Sequence, residues 1–348
     1  NGVEALQQLQ NDAGIELVLT DINMPEMDGL TLLTKMKELQ NPLLRSVIVS
    51  AYGDMENIRT AMNRGAYDFV LKPIDLGDLE ITINKSLDDL YKLKEAIQSR
   101  DQLLALQHEL DIARAIQMSM LPKKFPAFPD RREFDIYADM IPAKVVGGDF
   151  YDFFLIDQDH LGFAIGDVSG KGVPAALFMA VCKTVLKTTA LKGLPPEECL
   201  QQVNRILHLE SVASMFVTVF YGILDLSSGE IVYCNGGHLP PYQIGKDGTV
   251  SAIETTGNLA LGVLVNTAYK TKTINLDRGD GLFLYTDGIT EAMDANNLEY
   301  GEERLLTSLQ QSATNAKDIT QLVISGVKTF SAGLAQSDDM TVLALYYL

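Results

Sequence analysis

Between residues 83 and 121 the sequence holds neither glycine nor proline, and the next proline is Pro122. A stretch free of both helix breakers can run as one long helix, and it divides the chain into two parts with different hydrophobic patterns. Ile83, Leu87, Leu90 and Ile97 step by three, four or seven residues, and so do Leu103, Leu106, Leu110, Ala113 and Met120. The two series are out of phase, with the slip near Ser99 to Asp101. The spacing therefore predicts a helical linker over 83–121 with a coiled-coil-like seam and a stagger. Two readings of that helix stand: a rigid spacer lying on its neighbouring domain, or a dimerising signal helix.

Upstream, over residues 1–82, helix and strand signals alternate. Val3 to Leu9 reads as amphipathic helix, Ile15 to Thr20 as a strand of the buried parallel type, Leu30 to Leu39 as helix and Ser46 to Ser50 as strand. Ile58 to Arg64 is helical and stops at Gly65. Tyr67 to Leu71 is a third strand, stopped by Lys72-Pro73, and from Leu79 onward the sequence reads as helix again. Repeated β-α units predict an α/β domain with a doubly wound parallel sheet.

Downstream, Pro122, Pro126 and Pro129 mark the second boundary, and residues 122–348 turn β-rich. Leu161 to Ile165, Phe216 to Asp225, Glu230 to Cys234, Lys270 to Leu276, Gly281 to Thr286 and Met340 to Tyr347 read as strands. Pro174 to Leu191, Pro196 to Leu209, Leu305 to Gln310 and Ile319 to Phe330 read as helices. Strands flanked by paired helices predict a layered α+β domain. The length of 348 residues suits two such domains plus a connection.

Composition narrows the function classes. The chain has 28 Lys and Arg against 46 Asp and Glu, a net charge of −18, which argues against nucleic-acid binding. Hydrophobic residues make up 47% and charged residues 21%, so the chain is globular rather than disordered. No run of about 18 uncharged apolar residues appears, so no membrane span is expected. Cys182, Cys199 and Cys234 form no CxxC pair, which fits a reduced, cytoplasmic setting and gives neither a disulfide framework nor a thiolate zinc site. The chain begins at Asn1 rather than Met, which leaves a leader on the parent gene product open.

The first constellation lies in residues 1–82. Asp21 ends a buried strand, Ser50 ends the next and Lys72 ends the third. In open α/β sheets chemistry sits at the carboxyl ends of strands, so a carboxylate, a hydroxyl and an ammonium would meet at one edge. These are the groups an aspartyl phosphate needs. D-I-N-M-P-E-M-D-G at 21–29, S-A at 50–51 and K-P at 72–73 resemble a response-regulator receiver domain. The resemblance implies Asp21 as phosphoacceptor, Ser50 and Lys72 as switch residues, Asn23 as a backbone-carbonyl ligand for Mg²⁺, and a sensor histidine kinase as partner. The chain departs from that pattern by beginning at what reads as the second helix. The first strand and the acidic pair that follows it are missing, a sheet edge is left uncovered, and Mg²⁺ is assigned to the receiver of the full-length protein.

The second constellation is a set of acidic residues in glycine-rich or strand-end settings: G-G-D-F-Y-D at 147–152, G-D-V-S-G-K-G at 166–172, T-D-G at 286–288 and S-D-D-M-T at 337–341. Carboxylates with glycines that let backbone approach closely suit a hard divalent cation, and oxygen donors alone favour Mg²⁺ or Mn²⁺. Each motif has a plainer reading, since an isolated Asp-Gly is usually a turn. A nucleotide-cyclase reading of G-G-D-F fails because Phe150 stands where a glutamate is needed. A P-loop reading of S-G-K-G fails because Gly172 follows Lys171.

Taken together and in order, the four motifs resemble the PPM family of metal-dependent protein phosphatases, and more narrowly its SpoIIE/RsbU branch. E-L-x-x-A-x-x-I-Q-x-x-M-L-P at 109–122 and N-G-G-H-L-P-P at 235–241 belong to the same resemblance. It implies a β-sandwich flanked by helices, with Asp149, Asp167, Asp287 and Asp338 as ligands of two Mn²⁺ or Mg²⁺ ions. Val168 would add a backbone carbonyl, Asp167 would bridge, Asp339 is a weaker candidate and Asp152 a supporting acid. Water activated by the ions would attack a phosphoserine or phosphothreonine in line, without a covalent enzyme intermediate. His238 is either a proton donor or the shaper of a Gly-Gly turn, and Lys171 either binds phosphate or is a solvated loop lysine. His108, His160 and His208 read as structural or surface residues.

The phosphate-binding arginine common in the broader family has no counterpart near Lys144, which implies greater dependence on a specific protein substrate. By the same resemblance the substrate is a phosphorylated anti-sigma-factor antagonist of the STAS type. Receiver phosphorylation would be relayed through helix 83–121 to helices 174–191 and 196–209. The reading from another class is a degenerate phosphatase fold that binds a regulator without catalysis.

Overall fold

A computed structural model describes the chain apart from residues 52–53, 211–214 and 312–314. It divides into two compact units, Asn1–His108 and Glu109–Leu348. The first contains α1 (Gly2–Asn11), β1 (Leu17–Asp21), α2 (Gly29–Glu38), β2 (Arg45–Ala51), α3 (Met55–Arg64) and β3 (Asp68–Lys72). The strands pair in parallel in the order β1-β2-β3. β2 is the central one, and its apolar run leaves Val47 and Ile48 fully buried, as a strand covered on both faces requires. Local signals set the helix ends. Asn1 forms a capping box with Glu4 at the start of α1, the Asp28 carboxylate accepts the Thr31 amide at the start of α2, and Gly65 closes α3 in the left-handed region. β1 is an edge strand with Leu19 41% exposed, in line with the expected open edge.

The long helix is α4 (Leu76–Met120), which crosses the division between the units. It begins three residues ahead of Leu79, where the sequence reads as helix again, and runs on through the expected linker 83–121. The Asp75 carboxylate accepts the amides of Gly77 and Asp78 at 2.8 and 3.0 Å, which makes a cap strong enough to carry Gly77 into the first turn. The predicted slip near Ser99 leaves the helix unbroken. Leu90 is buried, whereas Leu103, Leu104 and Leu106 are more than half exposed.

The second unit is a sandwich of two five-stranded antiparallel sheets. One has the order β10-β9-β12-β13-β4, built from β4 (Phe134–Ile141), β9 (Tyr242–Ile244), β10 (Val250–Ala252), β12 (Gly281–Tyr285) and β13 (Met340–Tyr347). The other has the order β11-β8-β7-β6-β5, built from β5 (Phe150–Leu155), β6 (His160–Val168), β7 (Val217–Asp225), β8 (Glu230–Gly236) and β11 (Lys272–Asn275). The alternation in β4, with Phe134, Ile136, Ala138 and Met140 buried, packs one face of the first sheet into a core shared with Phe150, Phe163, Ile165 and Phe220 of the second. Helices α5 (Val173–Ala190) and α6 (Pro196–Glu210) cover the second sheet. The short α7 (Asp287–Thr290), α8 (Gly301–Leu309) and α9 (Ala316–Phe330) belong to the first, whose outer face holds a core of Phe283, Tyr285, Val342, Ile319 and Val323. The sandwich flanked by helices is the architecture the sequence led us to expect.

Among the described residues α5 alone is long and apolar enough to cross a membrane by length and composition. Here it is a core helix, with Ala175, Phe178, Met179, Cys182, Leu186 and Ala190 buried. Its Lys183 and Lys187 reach Asp152 of β5 at 2.5 and 3.5 Å.

Candidate active site

The first candidate site sits where β1, β2 and β3 end. Because the strands are parallel, Asp21, Ser50 and Lys72 fall at one edge of the sheet. Lys72 Nζ forms an ion pair with Asp21 Oδ2, and the Asn23 amide donates to Asp21 Oδ1 at 3.2 Å. The lysine ammonium holds the Asp21 carboxyl below its ordinary pKa. Ser50 is buried and its hydroxyl lies 3.4 Å from Asp54 Oδ2 rather than against Asp21. The structure thus joins two of the three anchors directly.

The second site lies at neighbouring ends of the two sheets of the sandwich. Asp149 precedes β5, Asp167 is the penultimate residue of β6, Asp287 opens α7 just after β12, and Asp338 and Asp339 lead into β13. The antiparallel registers bring these ends together. Thr286 Oγ1 donates to Asp149 Oδ2 at 2.7 Å and receives the Thr341 amide at 3.0 Å, tying the loop before β5 to the strands β12 and β13. Gly288 packs so closely on the same segment that a Cβ there would stand 2.1 Å from the Asp339 carbonyl oxygen. The Val168 carbonyl oxygen lies against Gly148, 3.0 Å from where a Cβ would be.

Crowding shows in the electrostatics. Burial, then the neighbouring Asp167 and Asp339, push the Asp149 carboxyl well above its ordinary pKa. Burial and Asp287 push Asp167 up to about 7. Asp287 is raised by burial and by Asp338. Lys171 is the cation on this cluster: its Nζ stands 2.8 Å from Asp338 Oδ2 and 2.8 Å from the Ser337 carbonyl. It is an engaged side chain rather than a solvated loop lysine. Among the described residues no group of three or more His, Cys, Asp or Glu side chains stands in a geometry that could hold a metal ion. The donor chemistry nevertheless fits a hard cation. Asp149, Asp167, Asp287 and Asp338 act on one another electrostatically with the Lys171 ammonium beside Asp338, and carboxylates crowded in a buried setting call for more positive charge.

The remaining candidates separate from this cluster. Asp152 makes its ion pairs with Lys183 and Lys187, a buried tie between β5 and α5. His238 is buried and both ring nitrogens are engaged. Nε2 lies 3.1 Å from the Tyr285 carbonyl and so carries the hydrogen, while Nδ1 at 3.0 Å accepts from the Thr218 hydroxyl. Burial pushes its pKa down to about 4. It is a neutral clamp between β7 and β12, and with Asn235 bonded to its amide at 2.7 Å it shapes the 235–241 turn.

Two contributors, Thr286 and Gln117, have no role in the sequence reading, and a third, Asp339, was placed there only as a weaker ligand candidate. Thr286 was legible only as a neighbour of Asp287. Asp339 accepts the amides of Ala143 and Gly148. Gln117, near the end of α4, grips Gly147 from both sides: its Nε2 donates to the Gly147 carbonyl at 2.5 Å and its Oε1 accepts the Gly147 amide at 3.1 Å. A glutamine on a helix gives no sequence signal of burial beyond its place in the I-Q-x-x-M-L-P run.

These features define a receiver-type unit joined to a phosphatase-type sandwich. Residues 1–84 match the response regulator receiver domain model, and residues 157–347, more than half of the chain, match the model for stage II sporulation protein E (SpoIIE). The chain belongs to the SpoIIE family. It is 31% identical over 265 residues to Protein IcfG of Synechocystis sp., covering 68% of this chain and 41% of that one. It is 33% identical over 221 residues to the phosphoserine phosphatase RsbU of Bacillus subtilis, covering 61% of this chain and 64% of that one. The chain therefore spans less than two thirds of the length of these relatives. The SiaA-PP2C domain of Pseudomonas aeruginosa shares the fold, with a TM-score of 0.62 at 19% identity over 71% of this chain and 98% of that one.

Proposed function

We propose that the chain is a metal-dependent protein serine/threonine phosphatase under the control of its receiver unit. The observation that supports this is the crowding of Asp149, Asp167 and Asp287, whose carboxyl pKa values are raised by burial and by neighbouring carboxylates, Asp338 being one of the neighbours that act on Asp167 and Asp287. These four side chains and the Val168 carbonyl would hold two Mn²⁺ or Mg²⁺ ions. When bound, the ions supply charge that acidifies a water and neutralises the phosphoryl oxygens during in-line attack on a phosphoserine or phosphothreonine.

The protein's own groups prepare that event. The Thr286 hydroxyl fixes one oxygen of Asp149 and so orients the other. Lys171 brings an ammonium to the rim of an otherwise acidic site, where a phosphoryl group can accept a charge-assisted hydrogen bond. His238, neutral and held at both nitrogens, fixes the ends of β7 and β12 and does not carry the proton.

The substrate of this reading is a phosphorylated STAS-type protein, and the likeness to a phosphoserine phosphatase supports a phosphoserine target. A sensor histidine kinase would phosphorylate Asp21, whose carboxylate pairs with Lys72. Mg²⁺ at the receiver belongs to the full-length protein. Helix α4 suits the relay because its last turns grip the loop carrying Asp149 through Gln117. Its exposed Leu103, Leu104, Leu106, Ile112 and Ile116 suit homodimer pairing through the same helix. The three buried, unpaired cysteines suit the cytoplasm.

The test is dephosphorylation of a phospho-STAS protein with Mn²⁺ and with chelator, before and after treatment with an acyl-phosphate donor. We expect Mn²⁺-dependent phosphate release whose rate changes with receiver phosphorylation. Capture of the phosphoprotein without any release would instead make the chain a binding module.

A further inference from the structure

We propose that Asp339 is a positioning residue whose carboxylate braces the loop 143–149 at two points and so sets the Asp149 carboxylate in register with Asp338. Its Oδ1 accepts the Ala143 amide at 2.8 Å and its Oδ2 accepts the Gly148 amide at 2.6 Å, across nearly two hundred residues of sequence. Asp339 is 8% exposed, so these bonds do not compete with bulk water. Asp338 next to it turns the other way, onto Lys171.

The surroundings are shaped around that carboxylate. A Cβ on Gly147 would stand 2.4 Å from Asp339 Oδ2 and 2.7 Å from its Cγ, so no side chain at 147 is compatible with the brace. The Asp339 carbonyl is pressed against Gly288, next to Asp287, and lies 3.3 Å from the Thr286 hydroxyl. One residue thus touches all the segments that carry Asp149, Asp287 and Asp338.

The chemistry requires an aspartate. A carboxylate offers two acceptor oxygens to two N–H donors. An amide offers one, and would set its own NH₂ against the second donor. The link from the brace to ion affinity rests on the phosphatase reading above, whereas the brace itself does not.

The experiment uses the full chain and three variants, Asp339→Asn, Gly147→Ala and Asp338→Asn. It measures amide exchange at Ala143 and Gly148 in the metal-free protein, binding of MnCl₂ by electron paramagnetic resonance, and turnover as a function of Mn²⁺ concentration. In Asp339→Asn, exchange at the two amides should rise about tenfold or more, the loss of one charge-assisted hydrogen bond. Mn²⁺ binding should weaken by a similar factor, and turnover lost at low Mn²⁺ should return at saturation. Asp338→Asn should leave both amides protected and should not be rescued by excess Mn²⁺. Gly147→Ala, which pushes on the carboxylate without changing it, should repeat the Asp339→Asn pattern and keeps the test open if that variant does not fold. Unchanged exchange in Asp339→Asn or in Gly147→Ala, or a turnover loss that no Mn²⁺ concentration restores, overturns the inference. Failure of the parent chain to bind Mn²⁺ at all would sink the phosphatase reading while exchange still reports the brace.

Discussion

The two acidic sites of this chain solve opposite problems. At the receiver edge one carboxylate, Asp21, stands in partial exposure beside one ammonium, Lys72, and its pKa is lowered. In the sandwich several carboxylates are buried together with Lys171 at their rim, and their pKa values are raised. The first arrangement holds a single carboxylate against a cation, as suits the phosphoacceptor proposed there. The second crowds carboxylates whose charged forms burial and mutual repulsion disfavour, which is the strain that the proposed cations would relieve.

The largest effect should come from breaking the second arrangement. Asp167→Asn should lower Mn²⁺-dependent dephosphorylation by a hundredfold to a thousandfold or more, on the order of other losses of transition-state charge stabilisation. Removing one charge from a crowded cluster should also leave the metal-free chain at least as stable as the parent, read as the thermal midpoint in chelator. Retained turnover would break the contrast between the two sites, since the sandwich carboxylates would then be ordinary structural acids.

Ion pairs offer the same comparison in the energetics of folding. Asp152 and Lys183 are nearly inaccessible, with side chains 2% and 7% exposed. Lys183→Met leaves a buried carboxylate with only Lys187 at 3.5 Å, and should destabilise the sandwich by about 3 kcal/mol or more, measured by denaturant unfolding. A loss below about 1 kcal/mol would show that Lys187 takes over the pairing.

Burial also fixes a pH dependence. His238 has a folded pKa of about 4 against about 6.5 when unfolded. Between those values the unfolded chain binds the extra proton, so the contribution of His238 to stability is complete above pH 6.5 and is lost as the pH falls toward 4. Replacing it by Gln should flatten that part of the stability profile. It should also leave the pH dependence of turnover between pH 6 and 8 unchanged in shape, because a neutral clamp has no proton to give there. A turnover limb that disappears in the variant would restore the proton-donor reading.

Much of this was legible in the sequence, and each miss has its own physical cause. Apolar runs such as S-V-I-V-S and L-A-L-Y-Y are buried on both faces and announce strands, and β2 and β13 appear within a residue or two of their expected ends. The strand β4 was missed although F-D-I-Y-A-D-M-I alternates cleanly, because it follows three prolines that read as a boundary. β9 and β10 are three residues each, too short for any periodic signal. At the sites, residue type and strand-end position pointed to the carboxylates. The groups that hold them, Thr286, Gln117 and Asp339, act through one or two long-range hydrogen bonds each, and such contacts leave no local pattern in a sequence. The Asp75 cap that starts α4 early was a local signal, masked by the glycine two residues later.

The smallest effect is expected at the receiver. Lys72 is 45% exposed and Asp21 31%, so Lys72→Met should change stability by no more than about 1 kcal/mol. The carboxyl titration of Asp21, followed by NMR, should still move up toward the ordinary value near 3.8, because the ammonium is the largest cause of its depression. The stability that Asp21 contributes is present above 3.8 and lost as the pH falls through its lower folded value, so the variant should lose only this acid-range contribution. At neutral pH Asp21 stays ionised with or without Lys72. A large loss of phosphorylation in the variant would therefore report a missing contact to the incoming phosphoryl oxygens rather than a discharged nucleophile. An unshifted titration would show that the pairing with Lys72 does not govern Asp21 at all.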